Sequence, residues 1–257
     1  MKKILITQLR ILGALMLRET RATFGTSQLG YLWAIITPAL GVAVFVAVFG
    51  AAGRRPPFGA SLALFFATGM LTLEFYKKLS AALMTTFNAN KALLTYPSIK
   101  ETDTLFARSM LISATYLVIM ILFFGMLILL GQAALPRHPD QLALAFAMVC
   151  LLGTGMGILN AVMLSVWESW QYVESILTRP LIIISGVFYI PSKLPTAAVD
   201  ILKWNPVLHL IEWIRTGYYS NYASTVLDKN YLIWFALLSL LFGLTGERLT
   251  RRRRAGQ

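Results

Sequence analysis

The stretch YLVIMILFFGMLILLG, residues 116–131, is apolar on every face and decides the fold class of this chain. An α-helix crosses a hydrocarbon core about 30 Å thick with about 20 residues. A transmembrane β-strand would be about 10 residues long and would alternate in polarity, and LIIISGVFYI, residues 181–190, lacks that alternation as well. The stretch therefore predicts an all-α integral membrane protein.

The composition of the whole chain points to the same class. Of the 257 residues, 57% are hydrophobic and 13% are charged, whereas soluble domains carry about 25% charged residues. We predict a single transmembrane domain, residues 1–257, with a six-helix core at residues 31–246 and a basic tail at residues 247–257. The six predicted spans are residues 31–52, 60–87, 105–131, 142–165, 175–190 and 231–246.

Residues 1–30 are predicted to hold an amphipathic helix at the membrane surface. Gln8 and Arg10 interrupt the apolar run and no A-x-A cleavage site follows, which argues against a signal peptide. Polar or small residues recur every three or four positions on one helical face, opposite a leucine-rich face, and such a helix lies in the headgroup plane. The polar face consists of Lys3, Thr7, Arg10, Ala14, Arg18 and Arg21.

The distribution of basic residues predicts the orientation. The chain has 23 Lys and Arg against 11 acidic residues, and cytoplasmic flanks collect the basic ones. With six spans, sixteen basic residues fall on the side of the two termini and seven on the other side, so both termini are predicted to be cytoplasmic. The excess also favours contact with anionic lipids rather than nucleic acid. The larger set includes Lys77, Lys78, Arg108 and Arg179.

Glu74 is a carboxylate inside the second predicted span. A charge embedded in the membrane is a functional candidate by default. Lys77 and Lys78 follow at helical spacings of three and four, so they can also neutralise Glu74 near the cytoplasmic boundary. Both interpretations stay open.

The fourth predicted span contains a G-x-x-x-G pattern, formed by Gly153 and Gly157. This spacing permits two helices to approach closely. It fits packing within one chain as well as it fits dimerisation.

The segment after Pro180 is irregular. The fifth span is short and is followed by SGVFYIPSKLP, residues 185–195. Non-helical backbone in the hydrocarbon region must be covered by protein or line a water-filled cavity. We therefore predict short re-entrant or periplasmic helices before the last span, with a cavity or gate near residues 185–220.

A polar stripe is predicted in NPVLHLIEWIRTGYY, residues 205–219. Asn205 suits an N-cap with Pro206 at the first helical position. His209, Glu212 and Arg215 recur every three residues, among several Trp and Tyr residues. Such aromatic rings can stack on sugars, or they can form an ordinary aromatic belt at the outer interface.

Motifs for catalysis are missing from the sequence. There is no G-x-x-x-x-G-K-[ST], so any ATP dependence must come from a partner. The two histidines, His138 and His209, are too few for a histidine-built metal site. Ser185 with His209 lacks a G-x-S-x-G elbow. We predict that the chain is not an enzyme and holds no metal. The alternative is a protein of a different functional class, an intramembrane enzyme or a scaffold.

Three stretches carry a resemblance to a known family. They are LRETRATFGTSQLGYLWAIITP, residues 17–38, NKALLTYPSIKETDTLFAR, residues 90–108, and WNPVLHLIEWIRTGYY, residues 204–219. Together they resemble permease subunits of ABC-type exporters, especially the KpsM-like capsular polysaccharide permeases. The resemblance implies the transmembrane subunit of an ATP-driven exporter of lipid-linked, usually acidic polysaccharide in the bacterial inner membrane. The same architecture leaves open O-antigen, teichoic acid or small hydrophobic molecules as substrates.

The resemblance also implies partners. They are two copies of an ATP-binding subunit, which hold ATP and Mg, a second copy of this chain, periplasmic co-polymerase and outer-membrane export components, and membrane lipids.

Three groups of site residues follow from the resemblance. Gly25 and Gly30 permit a sharp change of chain direction, and Tyr31 and Trp33 suit anchors at headgroup level. The interfacial group is Arg18, Arg21, Phe24, Gly25, Gln28, Gly30, Tyr31 and Trp33. The group that couples to the ATPase is Asn90, Lys91, Tyr96, Pro97 and Asp103, with Trp167 and Glu168 as a second contact. The gate and translocation group is Tyr189, Pro191, Trp204, Asn205, Pro206, His209, Glu212, Trp213 and Arg215.

Overall fold

The computed structural model describes residues 2–24, 28–91, 93 and 99–255. Among the predicted site residues, Gly25, Tyr96 and Pro97 lie outside this part, as do the side chains of Phe24, Gln28, Gly30 and Tyr31. The described residues are helical and include no strand. The helices are α1 (Lys2–Phe24), α2 (Gln28–Ala51), α3 (Leu62–Met84), α4 (Thr86–Ala89), α5 (Glu101–Leu129), α6 (Pro139–Val166), α7 (Trp170–Thr178), α8 (Leu181–Ile184), α9 (Thr196–Leu202), α10 (Pro206–Tyr218) and α11 (Lys229–Ala255), with a 3-10 turn at Pro191–Lys193.

Four helices in the described part are long and apolar enough to cross a membrane. They are Leu32–Ala51 of α2, all of α5 and α6, and Lys229–Arg251 of α11. This confirms the all-α membrane class. The helix α3 has 23 residues but carries three charged residues in its second half, and the helix predicted at residues 175–190 is divided at Pro180 into α7 and α8.

The helix α6 lies at the centre of the bundle, between α3 and α11. A Cβ atom at Gly153 would lie 2.8 Å from a Leu79 side-chain atom, and one at Gly157 would lie 2.7 Å from Leu83 Cβ. On the side facing α11, a Cβ at Gly155 would lie 2.5 Å from Ser239 Oγ. The G-x-x-x-G residues therefore bring α6 against α3 within a single chain.

Different segments of the chain form the two ends of the helical bundle. The end of α11 lies beside the end of α6, because a Cβ at Gly246 would be 3.0 Å from Val162. The helix α1 contacts the start of α5 through an ion pair between Glu19 and Arg108. We call this the terminal end, since α1 contacts the start of α5 there and the second half of α11 lies there. Residues 53–61, 130–138 and 185–228 form the opposite, distal end.

The helix α1 is packed against α5 rather than separated from the bundle. Leu15 and Glu19 are 7% and 6% exposed, whereas Leu17 is 71% exposed. The buried side of α1 therefore includes a carboxylate that requires a partner, and Arg108 supplies it.

Two helices extend beyond their predicted bounds. The helix α5 begins at Glu101, four residues before the predicted start, because the Lys100 backbone N–H donates to Asp103 Oδ2 at 3.1 Å and caps the helix. The helix α11 continues through the predicted basic tail, where buried Glu247 pairs with Arg251 Nη2 at 2.7 Å across one turn.

Candidate functional site

A cavity of about 920 Å³ lies between α2, α3, α5 and α7. We call it the basic cavity. Each helix presents residues at spacings of three and four, which is one helical face. The lining residues are Trp33, Ala34, Thr37 and Pro38 of α2, Glu74, Lys77, Lys78, Ala81 and Ala82 of α3, followed by Thr85, then Arg108, Ile112, Thr115, Tyr116 and Ile119 of α5, and Glu174, Ser175 and Thr178 of α7, followed by Arg179.

The basic cavity carries an excess of positive charge. Four cationic side chains, Lys77, Lys78, Arg108 and Arg179, face two carboxylates, Glu74 and Glu174. Among the described residues, no ion pair joins Glu74 to either lysine. Of the four cations, Arg108 is paired with Glu19 of α1, outside the cavity lining, and no ion pair joins Lys77, Lys78 or Arg179 to another described residue.

The α2 wall of the cavity exposes backbone polar groups. Pro38, inside α2, has no N–H to donate to the Ala34 carbonyl, so the helical ladder is interrupted where it faces the cavity. Thr37 Oγ1 donates to the Trp33 carbonyl at 2.8 Å. Trp33 itself is 60% exposed, which leaves its ring accessible beside the cavity.

Arg108 connects the cavity to three helices at the terminal end. Its Nε donates to Glu19 Oε1 of α1. Its Nη1 donates to the Ala82 carbonyl at 3.0 Å and to Thr86 Oγ1 at 3.3 Å. One guanidinium therefore holds α1, α3 and α4 against α5.

The described residues of the coupling group lie at the same end. Asn90, at the end of α4, is buried and accepts a 2.6 Å hydrogen bond from Arg18 Nη1. Lys91 is exposed, and Asp103 caps α5. Trp167 and Glu168 are exposed in the turn between α6 and α7.

Hydrogen bonds from Trp170 and Asn160 fix the α6–α7 turn. Trp170 Nε1 donates to Asn160 Oδ1 at 3.1 Å, and Asn160 Nδ2 donates to Ser80 Oγ at 3.2 Å. The α7 wall of the basic cavity is therefore tied to α6 and, through α6, to α3.

The gate residues gather at the distal end around Arg215, which is fully buried. Its Nη1 donates to the Tyr189 carbonyl at 3.2 Å and its Nη2 to the Val187 carbonyl at 3.3 Å. The guanidinium lies over the Phe65 ring, 4.1 Å from the centroid, and its Nη1 is 3.6 Å from Glu212 Oε1. Non-helical backbone inside the bundle is therefore covered by protein and satisfied by an arginine.

Glu212 is held by hydroxyl donors as well as by Arg215. Tyr222 Oη donates to Glu212 Oε1 and Ser224 Oγ donates to Glu212 Oε2, both at 2.6 Å. Burial, together with the Glu212 carboxylate, raises the pKa of the Tyr222 hydroxyl above its ordinary value. The hydroxyl therefore remains a donor.

The other residues of the predicted gate and translocation group lie at the same end of the bundle. Asn205 Oδ1 accepts from the Val207 N–H at 3.0 Å, which confirms the N-cap before Pro206, and Asn205 Nδ2 donates to Ser185 Oγ at 2.9 Å. His209 Nδ1 accepts from the Asp228 N–H at 3.0 Å, so its proton lies on Nε2, which donates to the Lys203 carbonyl at 2.7 Å. Trp213 Nε1 donates to Gln141 Oε1, Pro191 is buried in the 3-10 turn, and Trp204 is 70% exposed.

Sequence reasoning found the distal group and missed most of the basic cavity. The spacing of Glu74, Lys77 and Lys78 was visible, as was the arginine excess. The sequence does not indicate that α7 lines the same cavity as α2 and α5, and this position brings Glu174 and Arg179 to that cavity.

Comparisons with known proteins agree with this architecture. The family model of the ABC-2 type transporter matches residues 10–219. Polysialic acid transport protein KpsM of Escherichia coli is 30% identical over 231 residues, 90% of this chain and 90% of that protein. Capsule polysaccharide export inner-membrane protein BexB of Haemophilus influenzae is 27% identical over 95% of this chain and 92% of its own. CtrC of Neisseria meningitidis serogroup A, with the same description, is 25% identical over 93% and 91%.

Proposed function

The chain belongs to the ABC-2 type transporter family, and we propose that it moves lipid-linked, acidic capsular polysaccharide across the bacterial inner membrane. It is the transmembrane permease subunit of an ABC exporter and is not itself an enzyme. A partner subunit binds ATP and Mg. The observation that carries the substrate proposal is the basic cavity, whose excess of cationic side chains suits an anionic ligand.

The proposed membrane arrangement has six crossings. They are α2, α3, α5, α6, the broken pair α7–α8, and α11. An even number of crossings agrees with the contact of α1 and the second half of α11 with the same end of the bundle. The basic residues around this end support a cytoplasmic position for it. In this arrangement α1 lies at the headgroup level, and the basic cavity opens toward the side from which a polysaccharide made in the cytoplasm arrives.

The proposed assembly contains two copies of this chain and two ATP-binding subunits. Exposed Lys91, Trp167 and Glu168 at the terminal end support contact with the ATP-binding subunits there. In this proposal Asn90, Lys91, Tyr96, Pro97 and Asp103 couple to the ATP-binding subunits, with Trp167 and Glu168 as a second contact. At the distal end, periplasmic co-polymerase and outer-membrane export components receive the polymer.

The Arg215 network acts as the outer gate. Three buried polar atoms in the described part have no hydrogen-bond partner: Arg215 Nε, Tyr189 Oη and Tyr219 Oη. Each unsatisfied group costs about 1–3 kcal/mol. A rearrangement that pairs these atoms, or brings them to water, would offset part of the cost of opening.

Transport by the reconstituted assembly tests this function. Proteoliposomes with this chain and its ATP-binding partner are expected to move fluorescently labelled, lipid-linked acidic polysaccharide across the membrane when ATP is supplied. A partner that cannot hydrolyse ATP is the matched control. O-antigen and teichoic acid substrates are compared in parallel. Faster transport of either of them, or ATP-dependent transport by this chain without the partner, would overturn the proposal.

A further inference from the structure

We propose that Arg108 is a latch that responds to the ligand of the basic cavity. An anionic group bound in the cavity takes Arg108 away from Glu19, and this releases α1 from α5. The inference rests on the proposed function, because it takes the cavity ligand to be the exported molecule.

The latch is possible because one guanidinium serves two sites. The Arg108 side chain is 14% exposed, lines the basic cavity and pairs with Glu19 on α1. Its Nη1 is engaged by the Ala82 carbonyl and Thr86, whereas its Nη2 has no hydrogen-bond partner among the described residues. A guanidinium has five N–H donors in a fork that fits a carboxylate or a phosphate. A ligand can thus approach Arg108 from the cavity before Glu19 is displaced.

The rest of the cavity suits an anion joined to a larger molecule. Lys77, Lys78 and Arg179 add positive charge around the same volume. Trp33 and Tyr116 offer aromatic surfaces to a sugar or an acyl chain. The ligand chemistry is a phosphate or a carboxylate, which an exported glycolipid carries either in its lipid anchor or in its acidic sugars.

Displacement of Glu19 has a structural consequence. Glu19 is 6% exposed, and Arg108 is its one ion-pair partner among the described residues. A buried carboxylate that has lost such a partner is strongly unfavourable. The helix α1 must therefore move until water reaches the carboxylate. Arg18, the neighbouring residue, donates to Asn90 at 2.6 Å, so the same movement breaks the contact between α1 and the end of α4.

Asn90 begins the segment that leads to α5 and is proposed to meet the ATP-binding subunit. An occupied cavity thus frees Asn90 from Arg18 of α1 before ATP is consumed. The latch makes ATP hydrolysis depend on the presence of substrate.

Fluorescence of a probe on α1 tests the latch. The test uses the full chain in nanodiscs of phosphatidylcholine. Cys150→Ala removes the native cysteine, and Leu17→Cys places a new one on the exposed side of α1. This cysteine is labelled with an environment-sensitive dye. One arm adds phosphatidic acid to the nanodisc, and the other adds a sialylated oligosaccharide. A saturable change with phosphatidic acid assigns the site to a lipid phosphate, and a change with the oligosaccharide assigns it to sugar carboxylates. No change with either probe would overturn the proposal.

Two variants separate the latch from a general effect on folding. Glu19→Gln is expected to show the ligand-bound signal without a probe and to bind the effective probe about tenfold more tightly, because the competing carboxylate is gone. The double variant Glu19→Arg with Arg108→Glu keeps an ion pair of reversed polarity, so its α1 is expected to stay docked and to ignore both probes. A response of wild-type size in the double variant would contradict the latch.

Asp200→Asn, which removes an exposed carboxylate at the distal end, is the matched control and is expected to respond like wild type. The measurement needs neither ATP nor the partner subunit. A failed latch therefore leaves polysaccharide transport intact, and a failed transport assay leaves the α1 signal to be judged separately.

Discussion

Replacing Arg215 by Met tests the energetics of the distal network. The change removes the donors to the carbonyls of Val187 and Tyr189 and leaves buried Glu212 without its cation. Breaking a buried ion pair costs about 3–5 kcal/mol, and packing of the Met side chain against Phe65 returns a small part. We expect a net loss of about 4 kcal/mol, or a fall in Tm of about 8 °C for a chain of this length.

The second step of this test removes the charge that was left behind. Glu212→Gln in the Arg215→Met background keeps an acceptor for Tyr222 and is expected to recover about 2 kcal/mol. Stability is followed in detergent as the fraction that remains monodisperse by size-exclusion chromatography after heating. A loss below about 1 kcal/mol in the single variant, or a double variant no more stable than the single one, would refute the view that the pair is coupled and buried.

Three further changes probe other parts of the molecule. Gly155→Ala places a Cβ 2.5 Å from Ser239 Oγ and is expected to cost about 1–3 kcal/mol in the same heating assay, whereas Gly125→Ala, with no atom within 4 Å, is expected not to destabilise. Arg179→Gln is expected to weaken apparent substrate affinity in proteoliposomes roughly fivefold, more at low salt, with exposed Arg137→Gln at the distal end unchanged. Trp170→Phe removes the 3.1 Å bond to Asn160 and is expected to lower stability by about 1 kcal/mol; an unchanged Tm would contradict this.

The sequence predicted the fold class and the helix positions because hydropathy alone dictates them. The helices α5 and α6 lie within four residues of their predicted bounds. One exception is the helix predicted at residues 175–190, which is divided at Pro180. Two others arise from single polar contacts that a hydropathy profile does not register. Asp103 caps α5 ahead of its apolar run, and the Glu247–Arg251 pair carries α11 into the basic tail.

The distal group was partly predictable from local signals. Asn205 and Pro206 predict the start of a helix, and the spacing of His209, Glu212 and Arg215 predicts that they share one helical face. Their partners are distant in sequence, since Arg215 binds carbonyls near residue 188 and lies on Phe65. The basic cavity was harder to predict, because Arg108 and Arg179 can be recognised as parts of one site only when the fold places α5 and α7 around the same cavity.

The helix α3 joins the two sites physically. Near its start, Gly69 leaves room for Arg215 Nη2, which a Cβ would meet at 3.2 Å. At its end, the Ala82 carbonyl accepts from Arg108. These positions are about 20 Å apart along one helix, and most residues between them are buried. A buried helix moves as a rigid element because its neighbours leave no space for local bending. We therefore expect a shift of α3 that follows a change at Arg108 to alter the packing around Arg215 as well.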